Sequence, residues 1–260
     1  MKRRIIFSFF ILGTILLTVT GLHSAQEKSA GIEPKADKIL RQMGDYLGHL
    51  QQFTIHIENS IDTILESGMK LEIGRGVDVF VRRPNRLRVN IRGDVENQQL
   101  FYDGKTMTLY GEDVNYYATI AVPTNMEAAL DHAIDAFGLE APVAELIYRN
   151  SYGILTENVE SGFYVGLSQV LGVECHHLAF RQEDIDWQIW IENSETPLPR
   201  KFIITSKWLT GAPQFTALLT DWKVSAQLND TLFTFVVPHN AEKIEFLPIE
   251  NVVTYPKKAN

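Results

Sequence analysis

The chain of 260 residues has a single cysteine, Cys175, so no internal disulfide can form and stability must come from the core alone. It has no excess of positive charge: 24 Lys and Arg stand against 32 Asp and Glu, a net charge of −8. A chain this acidic is repelled by nucleic acid and by anionic lipid surfaces, so neither is expected as a general partner. It has no CxxC and no HxxxH pair, which removes the common zinc-ligand spacings. No apolar run reaches the ~20 residues a spanning helix needs. The longest, residues 5–19, has fifteen.

That run is better explained as the core of an export leader. Lys2, Arg3 and Arg4 precede it, and small residues around Ser24 and Ala25 follow, ahead of the polar Gln26, Glu27 and Lys28. Cleavage is expected near Ala25, although His23 stands where a small residue is preferred. The leader has no cysteine at its end, so a lipoprotein-type lipid anchor is not expected. Its loss leaves 21 basic residues against 32 acidic ones, a net charge of −11, with no stable membrane anchor. The expected organisation is a signal peptide at 1–25, a flexible lead-in at 26–33, one domain at 34–247 and an irregular tail at 248–260.

What the chain does have is period-two alternation. After Pro34, the residues Ala36, Ile39, Leu40, Met43, Leu47 and Leu50 fall on one helical stripe. From Phe53 the period becomes two, with Phe53, Ile55 and Ile57 on one face. Strands are predicted at about 69–81 and at 86–92, where Leu87, Val89 and Ile91 point inward and Arg86, Arg88, Asn90 and Arg92 outward. Asp103-Gly104 predicts a two-residue type I′ hairpin turn, and 116–122 completes a meander. Thr124 with Glu127 predicts a capped helix over 125–137 that Gly138 stops, and 142–149 reads as a second short helix. Strands return at 163–170, 173–182, 186–192, 200–207, 214–222 and 232–235.

Short strands in sequence with tight turns imply antiparallel pairing, and about 11–12 of them must curl strongly or split. The fold class expected is mainly β (α+β). Its architecture is a half-open antiparallel barrel with an N-terminal helix and a helical lid inserted at mid-chain. Such a barrel leaves an apolar concavity, the usual form of an apolar-ligand site. Two packed sheets without a cavity are the alternative.

Three groups of residues could carry chemistry. Cys175, His176 and His177 lie together on a strand, with Cys175 and His177 on one face, but no further ligand or orienting base accompanies them. No metal, cofactor or catalytic constellation is therefore expected. Trp187, Trp190, Trp208 and Trp222 are large apolar side chains suited to the core or to a cavity lining. Arg75, Arg82, Arg83, Arg86, Arg88 and Arg92 fall within eighteen residues that hold one acid, Asp78. They read either as a solvated sheet face or as a patch gripping a carboxylate, a phosphate or lid carbonyls.

The run Phe80-Val-Arg-Arg-Pro-Asn-Arg-Leu-Arg-Val89, followed by Tyr102-Asp-Gly-Lys-Thr-Met-Thr-Leu-Tyr110, resembles the periplasmic carrier of the outer-membrane lipoprotein sorting pathway and its relatives. The pattern covers about residues 35–120, and the rest agrees only in element order. That resemblance implies a half-barrel under a helical lid, with Arg83 bonding lid backbone. The flanking arginines are more numerous here than in the carrier, and Arg86 and Arg88 are read with Arg83 as candidate ligand or latch residues. A match over nearly the whole mature chain is to an uncharacterised family of predicted periplasmic proteins. It rests on Tyr102-Asp-Gly-Lys-Thr106, Gly172-Val-Glu-Cys-His-His-Leu-Ala-Phe-Arg181 and Asp186-Trp-Gln-Ile-Trp-Ile-Glu192, and it implies no particular activity.

The function expected is a non-catalytic periplasmic carrier for a hydrophobic ligand: a lipid, an acyl chain or a lipidated protein or peptide. An envelope sensor that binds another protein through the same fold is the alternative.

Overall fold

The computed structural model describes residues 31–139, 141 and 143–246. The leader, the tail after 246 and Pro142 lie outside the described residues. The first helix is α1, Pro34–His49, and its predicted stripe is buried at Ala36, Ile39, Leu40, Met43 and Leu47. Gly44 and Gly48 lie one turn apart on this helix. A Cβ at Gly44 would stand 2.7 Å from the Tyr152 Cβ, and one at Gly48 would stand 2.5 Å from the Arg149 carbonyl oxygen. The two glycines therefore let the later part of the mid-chain insert lie directly on α1.

Thirteen strands form one sheet. They are β1 Gly31–Ile32, β2 Gln52–Ile64, β3 Lys70–Arg82, β4 Arg86–Gly93, β5 Asn97–Tyr102, β6 Thr106–Gly111 and β7 Tyr116–Ala121. After the insert come β8 Ser161–Val170, β9 Val173–Arg181, β10 Ile185–Glu192, β11 Pro199–Ser206, β12 Gln214–Lys223 and β13 Glu242–Lys243. The spatial order is β1-β8-β9-β10-β11-β12-β2-β3-β4-β5-β6-β7-β13, so the two halves of the chain meet where β12 pairs with β2. The eleven longer strands pair antiparallel with their neighbours. The two-residue strands β1 and β13 join the edges in parallel, so part of the expected lead-in is a strand. The sheet is curled and unclosed, as expected for a half-barrel, with its helices on the concave face.

The helical insert differs from the prediction in detail. Helix α2 is Met126–Phe137, and its cap is Asn125 rather than Thr124: Asn125 Oδ1 accepts from the Glu127 and Ala128 amides. Asn is a strong N-cap residue, and it stands in the extended conformation that a cap requires. Gly138, at φ 69°, ends the helix. In place of a helix at 142–149 there is one 3₁₀ turn, Ala144–Ile147, followed by α3 at Ser151–Thr156. Asn150 caps α3 by accepting from the Gly153 amide.

Two further readings change. The turn after β5 centres on Gly104 and Lys105, because Asp103 Oδ1 accepts from the Lys105 and Thr106 amides and pins the chain from one residue earlier. The predicted strand at 232–235 is instead a 3₁₀ turn, Asp230–Phe233, belonging to a strap that crosses the convex face.

Candidate binding cavity

The concave face over β2–β6 is built as successive rungs of cross-strand neighbours. The lowest is Phe53, Val81, Leu87, Tyr102 and Met107, every one at most 2% exposed. Above it stand Ile55, Val79, Val89, Leu100 and Leu109, then Ile57, Val77, Ile91 and Gln98. The last rung is polar: Asn59 faces Arg75, whose neighbour on β4 is Gly93. Helix α2 and the turn after it stand off this face and leave a cavity of about 380 Å³. Leu130, Phe137, Leu139 and Ile147 line it from the helical side, and Asn59, Arg75, Glu96 and Gln98 supply its polar groups. The sheet wall between is aliphatic, so the cavity grades from a sealed apolar floor to a charged rim.

Over β9–β12 the same face is filled. Trp187 stacks on Phe180 with centroids 4.0 Å apart and meets Phe202 at 5.6 Å. Phe53 and Trp222 pack at 5.7 Å, and the Trp222 indole N–H donates to the Pro199 carbonyl. None of the four tryptophans lines the cavity. Trp187 and Trp222 belong to the main core. Trp190 lies on the convex face in a small cluster with Cys175 and Val170, and Trp208 is 42% exposed in the β11–β12 connection.

The arginines divide by strand parity. Arg82 and Arg88 point to the convex face and hold the C-terminal strap. Arg82 donates to the Leu228 carbonyl and pairs with Asp230, whose carboxyl is thereby held below its usual range. Arg86 lies 3.6 Å from the same carboxylate, and Arg88 donates to the Leu232 carbonyl. The strap then seats Phe235 against Phe101, Tyr110 and Tyr117 and rounds the β7 edge through β13. Phe246 ends beside Phe137 at the cavity wall, with centroids 5.2 Å apart. The carbonyls that Arg82 and Arg88 grip thus belong to this strap and not to a lid.

Arg83 is 7% exposed and donates to the carbonyls of Leu50 (2.9 Å) and Leu47 (3.4 Å), at the C-terminal end of α1. A cation at a helix C-terminus is well placed against the dipole and the unpaired carbonyls there. Burial, reinforced by nearby Arg149, lowers its pKa to about 10, so it stays charged at neutral pH. The adjoining Pro84 carbonyl accepts from the Met126 amide at the start of α2. Arg83 therefore clamps α1, and its neighbour anchors the covering helix.

Cys175 is fully buried, and burial raises its thiol pKa to about 11. Burial lowers both neighbouring histidines. His177 stacks on Trp190 at 4.0 Å and bonds Gln188, and His176 lies 3.2 Å from the Tyr164 hydroxyl. All three are thus engaged in packing and local bonds. Among the described residues, no group of three or more His, Cys, Asp or Glu is placed to hold a metal. Of the arginine cluster, Arg75 is the member that lines the cavity, although sequence reading gave it no place apart from the others. Parity could have found it, since Arg75 precedes Val77, Val79 and Val81 on the inward face of β3.

A family model described as predicted periplasmic protein (DUF2092) matches residues 36–247. The chain belongs to that family, which agrees with the export read from its first residues and with the resemblance read from its motifs. No curated protein matches. Among solved structures, the lipoprotein LppX of Mycobacterium tuberculosis is 12% identical with a TM-score of 0.48, over 76% of this chain and 100% of that one. LprF of Mycobacterium bovis is 12% identical at 0.47, over 80% and 98%. The LolA superfamily protein NE2245 of Nitrosomonas europaea is 12% identical at 0.38, over 77% and 97%. Likeness at these levels carries no function across.

Proposed function

We propose that this protein is a non-catalytic periplasmic carrier that holds the apolar part of a lipid, an acyl chain or a lipidated peptide between β2–β6 and α2. The observation behind this reading is the aliphatic cavity of about 380 Å³, within the range of small-molecule sites and graded in polarity along its length. An apolar chain entering it gains about 0.8 kcal/mol per methylene removed from water. In this reading Arg83 serves as a fixed clamp at the corner where α1 ends, while α2 is the movable cover. Arg86 and Arg88 act at a distance from the ligand, by keeping the strap in place.

The test is Val89→Trp, which places an indole in the cavity from its sheet wall. Lipophilic dye binding and copurifying lipid seen by native mass spectrometry should both be lost, while thermal unfolding shifts little. Undiminished binding in this variant would sink the proposal.

A further inference from the structure

We infer that Arg75 is the head-group residue of the cavity and that the ligand is a single-chain amphiphile ending in an anionic oxygen group, a carboxylate or a phosphate. This rests on the carrier reading above and adds the ligand's chemical class to it.

Every other arginine of the cluster already has its work within the fold. Arg82 and Arg86 meet Asp230, Arg83 meets the α1 carbonyls, Arg88 meets Asn90, Gln99 and Leu232, and Arg92 lies 3.8 Å from Glu112. Arg75 differs. Its Nε donates to Asn59 Oδ1 at 3.1 Å, and among the described residues no carboxylate lies within ion-pair distance of its guanidinium. Asn59 is itself 9% exposed, a buried amide whose oxygen fixes the plane of the arginine fork. The two terminal nitrogens are left to donate in parallel, the geometry that takes a carboxylate or phosphate through two oxygens.

Position agrees with chemistry. Arg75 and Asn59 occupy the rung directly beyond Ile57, Val77 and Ile91, so an apolar chain lying on the aliphatic rungs brings its end to the fork. Gly93, opposite Arg75, leaves room there: a Cβ at that position would stand 3.0 Å from the Arg75 Cβ. Glu96 lines the same rim and opposes an anion, which favours a head small enough to sit on Arg75 alone.

The experiment is titration of the full mature chain with laurate, dodecyl phosphate and dodecanol, which share a tail and differ in head. Both anions should bind more tightly than the alcohol, and the tighter of the two identifies carboxylate or phosphate as the preferred head. Arg75→Gln should weaken the anions roughly ten- to hundredfold, the worth of a charged hydrogen-bonded pair, and leave dodecanol unchanged. Arg75→Lys, which keeps charge but loses the fork, should fall between. Glu96→Gln should tighten the anions by up to about fivefold. If dodecanol binds as well as the anions, or if Arg75→Gln weakens all three alike, the head-group assignment is overturned while the carrier reading survives. If none of the three binds, both fall.

Discussion

The two halves of the concave face use the same ladder of inward side chains and reach opposite ends. Over β9–β12 the rungs carry rings, with Phe180, Trp187, Phe202 and Phe215 all buried, and the space is full. Over β2–β6 the upper rungs carry Ile, Val and Leu, and a cavity remains under α2. Aromatic rings bury large areas and interlock at ring distance, whereas aliphatic chains on one wall need a partner on the other. Alternation alone thus makes a core-facing wall, and residue volume decides whether that wall is filled or hollow.

The contrast predicts opposite responses to substitution. The largest effect belongs to the filled half: Trp187→Ala should cost about 3–5 kcal/mol in urea unfolding while leaving amphiphile binding in place. A loss of binding at preserved stability would break the division. Next is the clamp between the halves. Arg83→Met strips the partner from two carbonyls at the end of α1 and should cost about 2–3 kcal/mol, read as a lower unfolding midpoint. Third, in the hollow half, Val89→Trp should change stability by less than about 1 kcal/mol while abolishing binding, because it fills space instead of crowding it.

The smallest effect lies on the convex face, outside both halves. His56 bonds Asp78 at 2.7 Å and Glu58 at 2.9 Å, and these contacts, Asp78 first, raise its pKa above 6.5. Because the folded value lies above the unfolded one, the stabilisation is complete below pH 6.5 and fades as pH rises through the raised value. Partial exposure limits it to about 0.2–1 kcal/mol. Stability measured on both sides of that window should decline slightly for the native chain and stay level for His56→Ala.

Much of the ladder was legible in the sequence because period two is a local property. Leu87, Val89 and Ile91 point inward as read, and the Pro34 stripe is the buried face of α1. What failed depended on distance or on volume. Phe233 and Phe235 alternate like a strand, but the segment is held by Arg82 and Arg88, 144 or more residues earlier in the chain, and so coils across the back of the sheet. Hydrophobicity marked all four tryptophans alike, whereas parity puts Trp187 inside and Trp190 outside, and a turn leaves Trp208 exposed. The arginines were read as one cluster by spacing. Their faces show two populations, Arg82, Arg86 and Arg88 behind the sheet and Arg75 before it. The cap on α2 moved by one residue because two good capping residues, Thr124 and Asn125, stand side by side.

The parallel two-residue strands at the sheet's margins answer a problem that any unclosed barrel creates. Each margin offers unpaired amides and carbonyls, a template on which a second chain can add itself. Here β1 occupies Ser161 and Gly162, and the Glu33 carboxylate takes the next amide, that of Tyr164. At the far margin the amides of Glu242 and Ile244 cover the carbonyls of Asn115 and Tyr117. The two strands come from opposite ends of the described chain, and each spans only two of the described residues. They act as selvedges, finishing an open fabric so that it neither unravels nor knits itself to a neighbour.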